Sequence, residues 1–265
     1  MQIYGWGRYP RAEAKVQSPS SVDECVRTIL GHKNIIPRGL ARSYGDSSLA
    51  SHVLSIVEMK VPDEFNSETG TLTCTAGTTF DEILQRYVPL GWFLPVTPGT
   101  RFITVGGAIA SDVHGKNHHI HGAFSDHVRE IELLLGNGDI VKTSSVLRSD
   151  LFRATCGGMG LTGVILDATF DLIPITSSKI VQTTIKLPNL EATLDAFEEY
   201  SNVPYSVAWI DSLATGKHNG KSIMLLGSHA TDDILSPLKG QAINIPIALP
   251  AATLNPLTVK MFNQL

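Results

Sequence analysis

Apolar residues recur at two different spacings along this chain, and the change from one to the other marks its elements. Val22, Cys25, Val26 and Ile29 fall on one helical face behind Ser21-Val22-Asp23-Glu24, a capping-box pattern, and Gly31 follows as a stop. Phe80, Ile83, Leu84 and Tyr87 repeat the arrangement behind Thr79-Phe80-Asp81-Glu82, with Gly91 closing the helix. Short apolar runs at 35–37, 53–57 and 72–76 predict strands. Residues 128–135 and 140–143 predict two more, joined by Gly136-Asn137-Gly138-Asp139, a hairpin sequence. A short helix at 151–155 is ended by Gly157-Gly158, and 164–172 predicts a further strand. After Pro174, which is read as a domain boundary, strands are predicted at 179–187, 206–210 and 222–226. Asn189 caps a helix there, with Leu190, Leu194 and Phe197 inside. The pattern predicts an α+β or α/β fold. Residues 250–265 end in Val259-Lys260-Met261-Phe262 with no visible closing element.

Composition narrows the classes. The 265 residues are 43% hydrophobic and 17% charged, enough for a large folded core. A net charge of -4 offers no basic surface for nucleic acid. Cys25, Cys74 and Cys156 are too widely spaced for a metal pair or a disulfide framework, so a reducing, cytoplasmic setting is expected. Residues 1–10 hold no apolar signal segment. The run 243–252 is broken by Pro246 and Pro250 and is too short to span a bilayer.

Two stretches carry candidate chemistry. Residues 98–121, PGTRFITVGGAIASDVHGKNHHIH, join a glycine pair to a histidine cluster. Gly106 and Gly107 admit close backbone approach, and Thr104 is placed to cap a short helix whose free N–H groups suit a phosphate. Residues 38–46 form a second glycine-containing loop with Arg38, Arg42, Ser43 and Asp46, an anion-binding nest in the making. Arg42 either holds phosphate or ties the loop to a carboxylate. Gly5-Trp6-Gly7-Arg8 is either an aromatic plug or part of a ligand wall. Two anion cradles suit a dinucleotide pyrophosphate, yet no GxGxxG follows a first strand and no GxxxxGK[ST] is present. His114, His118, His119 and His121 lack a carboxylate or thiol at ligating spacing, so no metal is expected. His114 is the candidate functional histidine. Lys116 either supplies positive charge beside it or is a solvated lysine. Cys156 has no base partner by spacing and is expected to be an inert thiol.

Three motifs, PRGLARSYGD (37–46), PGTRFITVGGAIASDVHGKNHH (98–119) and ATCGGMGLTGVI (154–165), resemble the vanillyl-alcohol oxidase / p-cresol methylhydroxylase (PCMH) type of FAD-linked oxidase. Within it they are most similar to the sugar-oxidising members, the decaprenylphosphoryl-ribose 2'-oxidases and the sugar-lactone and alditol oxidases. The resemblance implies a two-subdomain α+β FAD-binding domain over 1–173, divided near 96–97. A substrate domain starts at 174 and runs to 265, where it looks cut short. It implies FAD contacts from Arg38, Gly39, Leu40, Ala41, Arg42, Ser43, Tyr44, Gly45, Asp46 and Ser47 on one side. On the other stand Gly99, Thr100, Thr104, Val105, Gly106 and Gly107. Ser111, Asp112 and His114 would lie by the flavin and Ile165 by the adenine. Many relatives attach the flavin covalently through a His where this chain has Arg42, so non-covalent FAD is expected. His114, then Lys116, are the candidate catalytic groups for oxidising a sugar CH–OH. The resemblance also implies a small-molecule or lipid-linked sugar substrate, peripheral contact with a membrane and a partner epimerase or reductase.

Overall fold

The computed structural model describes residues 1–236, 253 and 255–263. The run 243–252 and most of the stretch around Pro250 lie outside them. The chain separates into two compact units, Met1–Ile175 and Thr176–Leu265. Helices and strands are mixed in both, an α+β composition.

The first unit opens with a small hairpin, β1 (Gln2–Tyr4) against β2 (Arg11–Glu13). A parallel sheet follows, from β3 (Lys15–Gln17), β4 (Ile36–Arg38) and β5 (His52–Ser55), with β5 in the middle. Helix α1 (Val22–Leu30) connects β3 to β4 and buries Cys25 and Ile29. Its capping box is only half made. Ser21 Oγ accepts from Glu24 N, but the Glu24 carboxylate turns to Ser20, accepting from its N–H at 2.7 Å and its hydroxyl at 2.9 Å.

The larger sheet is antiparallel, in the order β10-β9-β11-β7-β6. Its strands are β6 (Glu64–Asn66), β7 (Thr71–Thr75), β9 (Val128–Leu134), β10 (Ile140–Thr143) and β11 (Val164–Asp171). It draws β6 and β7 from before residue 96 and the others from after it, so strand pairing does not break where the sequence placed a subdomain division. The β9–β10 turn forms as expected, with Asn137 and Asp139 bonded to each other and Ile140 opposite Leu134. Helix α2 (Phe80–Tyr87) has its full capping box: Glu82 N donates to Thr79 Oγ1 at 3.1 Å and Thr79 N donates to the Glu82 carboxylate at 2.7 Å. Strand β8 (Trp92–Phe93) pairs with β12 (Ile173–Pro174). Between them come α3 (Val105–Ala110), α4 (His118–His121) and α5 (Ser149–Thr155). Phe80, Phe124 and Phe170 stack in sequence at 5.2 Å centroid spacings and are fully buried, joining α2 to β11. Each such ring contributes about 3–5 kcal/mol relative to alanine.

The second unit is a three-stranded antiparallel sheet, β13 (Ile180–Leu187), β15 (Ser222–His229) and β14 (Tyr205–Ile210), with β15 central. Helix α6 (Leu190–Glu199) is capped by Asn189, whose side chain accepts from Ala192 N. Its inward face is Thr193, Ala196 and, as expected, Phe197, packed near Met224 and Leu226, while Leu190 and Leu194 point outward. The sequence assigned those leucines to the core. The sheet instead receives Thr193 and Ala196 beside Phe197, and Thr193 Oγ1 bonds Ser222 Oγ at 2.8 Å. A last helix, α7 (Pro256–Phe262), starts at an Asn255 cap, where the sequence showed no closing element, and Phe262 lies 5.8 Å from the Trp209 ring. Among the described residues no helix is long and apolar enough to cross a membrane.

Candidate functional site

A cavity of about 530 Å³ opens in the first unit. Its wall comes from the loop after β4, the loop before α3, the α3 helix, the turn before β11, and Trp6. Of the residues singled out from the sequence, Arg38 to Tyr44, Ser47, Gly99, Thr100, Thr104, Gly106, Gly107, Ser111 and Ile165 line it.

The first loop leaves β4 with its two arginines in different jobs. The Arg38 guanidinium is consumed by protein acceptors: Nη2 donates to Tyr4 O at 2.6 Å and Nη1 to Ser48 O at 3.1 Å. Its partial burial lowers its pKa. Arg38 therefore shapes the loop. Arg42 donates only its Nε, to Phe102 O at 3.1 Å, and its guanidinium carbon lies 5.2 Å from the Trp6 ring centroid. Its terminal amino groups meet no acceptor among the described residues. Between them Ala41 takes a left-handed φ of 58°. No acceptor among the described residues takes the N–H groups of Leu40, Ala41, Arg42 or Ser43. Successive free N–H groups around a left-handed residue form a nest for an anion.

The second loop is held to the start of α2. Phe80 N donates to Ile103 O and Asp81 N to Arg101 O, both at 3.0 Å, and Arg101 pairs with Asp81 at 2.6 Å. Thr104 caps α3 as expected, accepting from Gly107 N at 3.1 Å. The expectation that this helix start offers free N–H groups to a phosphate is not met. Val105 N donates to Thr78 O and Gly106 N to Ala76 O, both at 2.8 Å, so the first turn is satisfied within the protein. What α3 supplies is a close wall. Gly39 lies against Thr104: a Cβ there would come 2.3 Å from Thr104 Oγ1, and Thr104 is 1% exposed. The two loops touch because residue 39 has no side chain.

Other expected residues stand outside the wall. Val105 is fully buried in the core, because the first helical residue of α3 turns inward. Gly45 and Asp46 sit past the loop's bend and are exposed. Asp112, at φ 41°, turns its Oδ1 to accept from Ser125 N at 3.0 Å. His114 and Lys116 are exposed beyond α3, and the His114 ring stacks near His118 at 5.2 Å. Their segment is anchored by Asn117, fully buried, whose Nδ2 donates to Pro95 O at 2.7 Å. His127 Nε2 donates to His121 O at 2.8 Å. Burial, then the neighbouring His127 and His119, lowers the pKa of His121. Among the described residues no group of three or more His, Cys, Asp or Glu side chains is placed to hold a metal ion. Burial, followed by Asp112 and Asp126, pushes the Cys156 thiol up to about 12, away from nucleophile chemistry.

Several wall residues carried too weak a signal in the sequence: Ser48, Ile56, Met159, Gly160 and Gly163. Met159 and Gly160 both take positive φ, 53° and 79°, and Met159 N donates to Ala110 O at 2.8 Å. The glycine-rich motif at 154–165 was the available hint.

Residues 10–144 match the family pattern described as FAD binding domain. The chain is 36% identical to decaprenylphosphoryl-beta-D-ribose oxidase of Mycolicibacterium smegmatis, across all of this chain and 62% of that protein. It is 26% identical to D-lactate dehydrogenase of Anaerostipes hadrus, across 84% of this chain and 50% of that protein. With a probable L-gulonolactone oxidase of Arabidopsis thaliana it shares 28% identity over 63% of this chain and 30% of the other. The chain thus spans less than two thirds of the length of these relatives. The domain match covers the β4 loop and the α3 wall, the two loops that meet around the cavity, and the chain belongs to the FAD-binding-domain family.

Proposed function

We propose that this chain is an FAD-dependent oxidoreductase that oxidises a CH–OH group of a sugar or sugar derivative, with its flavin held non-covalently. The observation that carries the reading is the nest at Leu40 to Ser43, with the free end of Arg42 beside it, on a cavity of about 530 Å³. That volume is in the range of cofactor sites, about 300–1,000 Å³. The nest and Arg42 suit the two negative charges of a pyrophosphate. Gly99, Thr100, Gly106 and Gly107 offer a wall without bulky side chains for the ring system, and Ile165 an apolar surface for the adenine. One loop follows β4 of the parallel sheet and the other precedes α3, which supports a cofactor held between them.

Bound FAD supplies a hydride acceptor for a CH–OH carbon. The chain's own residues must then bind the sugar and take the hydroxyl proton. His114 is proposed as that base and Lys116 as a positive contact for an anionic substrate. Both are exposed, so they face solvent or substrate. A guanidinium at position 42 presents no free nucleophilic nitrogen to a flavin methyl group, which supports non-covalent attachment. The relative that acts on decaprenylphosphoryl-ribose suggests a lipid-phosphate-linked sugar as substrate, met at a membrane surface, with an epimerase or reductase as partner.

The test is anaerobic reduction of the FAD-loaded protein. Bleaching of the flavin band by a polyprenyl-phosphate ribose, and not by sugar lactones or alditols, supports the narrow reading. Bleaching by lactones or alditols alone moves the substrate class. Flavin bound but not bleached by any of them favours a flavin-binding unit without turnover of its own. Acid precipitation must leave the flavin in the supernatant; a yellow pellet would refute non-covalent attachment.

A further inference from the structure

We infer that Arg42 is a latch that closes the two cavity loops over the cofactor and sets how slowly a non-covalent flavin leaves; this rests on the FAD reading above. Three separate segments meet at this one side chain. The first is its own loop, after β4. The second is the loop before α3, whose Phe102 carbonyl accepts from Arg42 Nε at 3.1 Å. The third is the β1–β2 turn, whose Trp6 ring lies 5.2 Å from the guanidinium carbon. That turn is itself held on the first loop: Trp6 N donates to Ser43 O at 2.9 Å. A Cβ at Gly5 would come 2.6 Å from the same carbonyl oxygen, so the contact depends on residue 5 being glycine.

Each segment is anchored elsewhere, which makes Arg42 a bridge between fixed points. The Phe102 loop is held to the α2 start through Arg101 and Ile103, and the Trp6 turn belongs to the β1–β2 ladder. Arg38, which fixes the base of the first loop, reaches Tyr4 and Ser48 on the same side and does not cross to the second loop. Gly39 against Thr104 is the other loop-to-loop contact described above, and it is a packing contact that cannot open without moving backbone. Arg42 can open by side-chain rotation alone, since it is exposed and Trp6 is 51% exposed. Trp6 and Arg42 both line the cavity, so the bridge includes part of its wall.

The experiment measures FAD dissociation from the loaded protein, as the rise of free-FAD fluorescence after large dilution into flavin-free buffer. Arg42→Ala loses a charged hydrogen bond and a cation–π contact together, and the dissociation rate is expected to rise about tenfold or more. Arg42→Lys keeps the charge but cannot both donate to Phe102 O and stack flat on Trp6, so it should resemble Arg42→Ala. Trp6→Ala should also speed release, and the double variant Trp6→Ala/Arg42→Ala should fall short of the product of the single effects, because both remove one bridge. Far-ultraviolet circular dichroism of the flavin-free variants should match the parent, because both side chains reach solvent and the fold around them is anchored elsewhere. Dissociation within twofold of the parent for Arg42→Ala overturns the latch. Full recovery by Arg42→Lys also overturns it, assigning position 42 to charge alone. A parent protein that takes up no FAD overturns both this inference and the reading beneath it, and is told apart because no dissociation is then measurable for any variant.

Discussion

At the scale of single residues, the site depends on contacts that leave no room. Gly39→Ala puts a methyl group 2.3 Å from Thr104 Oγ1 and 3.2 Å from its Cγ2, and Thr104 is buried and committed to capping α3. The two loops would have to separate. A loss of about 1–3 kcal/mol in urea unfolding is expected, together with reduced flavin content of the purified protein. Unchanged flavin content would show that the loops tolerate a wider gap. Asn117 is the second such residue. It is fully buried, and Asn117→Ala leaves Pro95 O without its donor, at a cost of about 1–3 kcal/mol. Because Asn117 adjoins Lys116, the same variant should lower turnover more than it weakens flavin binding. Equal losses in both would assign Asn117 to stability alone.

At the scale of elements, the polar face of the large sheet carries its own pH dependence. β9 and β11 set Glu132 opposite Asp167, with Lys142 and Glu130 paired alongside at 2.7 Å. Burial, then the hydrogen bond and charge of Glu132, push the Asp167 carboxyl from its ordinary 3.8 up to about 7. The folded state thus holds a proton that the unfolded chain releases. Stability is greatest below the ordinary value, falls as pH rises through the window up to about 7, and is level above it. Asp167→Asn should remove that fall, so its advantage over the parent in urea unfolding is larger at about pH 8 than at about pH 5. An advantage that is equal at both would mean that the pair does not share a proton.

The elements also show what the sequence could convey. Thr79 with Glu82, Asn189, and the Asn137-Gly138 turn were legible because each is a local motif whose partners lie within four residues. Strands β1 to β3 were not, because three residues are too few to show alternation. Of the three apolar residues read into α6, Phe197 packs on the sheet while Leu190 and Leu194 face outward, because Thr193 and Ala196 sit closest to it. The free N–H groups assigned to α3 were lost to Thr78 and Ala76, acceptors about 30 residues earlier in the chain, and such partners are visible only once the fold brings them close. The candidate cofactor wall was readable for the same reason that it is compact: its loops are motifs. For Trp6 the sequence left a plug or a ligand wall open, and tertiary packing places it on the wall.

At the scale of the whole molecule, the two compact units should respond separately to ligand. FAD binding stabilises only the unit that holds the cavity, by about 2.7 kcal/mol at a hundredfold excess over Kd. Calorimetry is therefore expected to show two transitions, with added FAD raising the one that belongs to Met1–Ile175 and leaving the other in place. A single transition that moves as a whole would mean that the units unfold together.

The three cysteines make the molecule an accommodating subject for site-directed labelling. All are free, and burial raises each thiol, Cys25 to about 11, Cys156 to about 12, and Cys74 in the same direction. Maleimide at neutral pH should find essentially no thiolate in the folded protein and all three once it is denatured. A single cysteine introduced in place of Tyr44, which is 75% exposed on the cavity wall, would then be the one reactive handle. A dye placed there would report cofactor arrival and departure directly, without mutating the native thiols away.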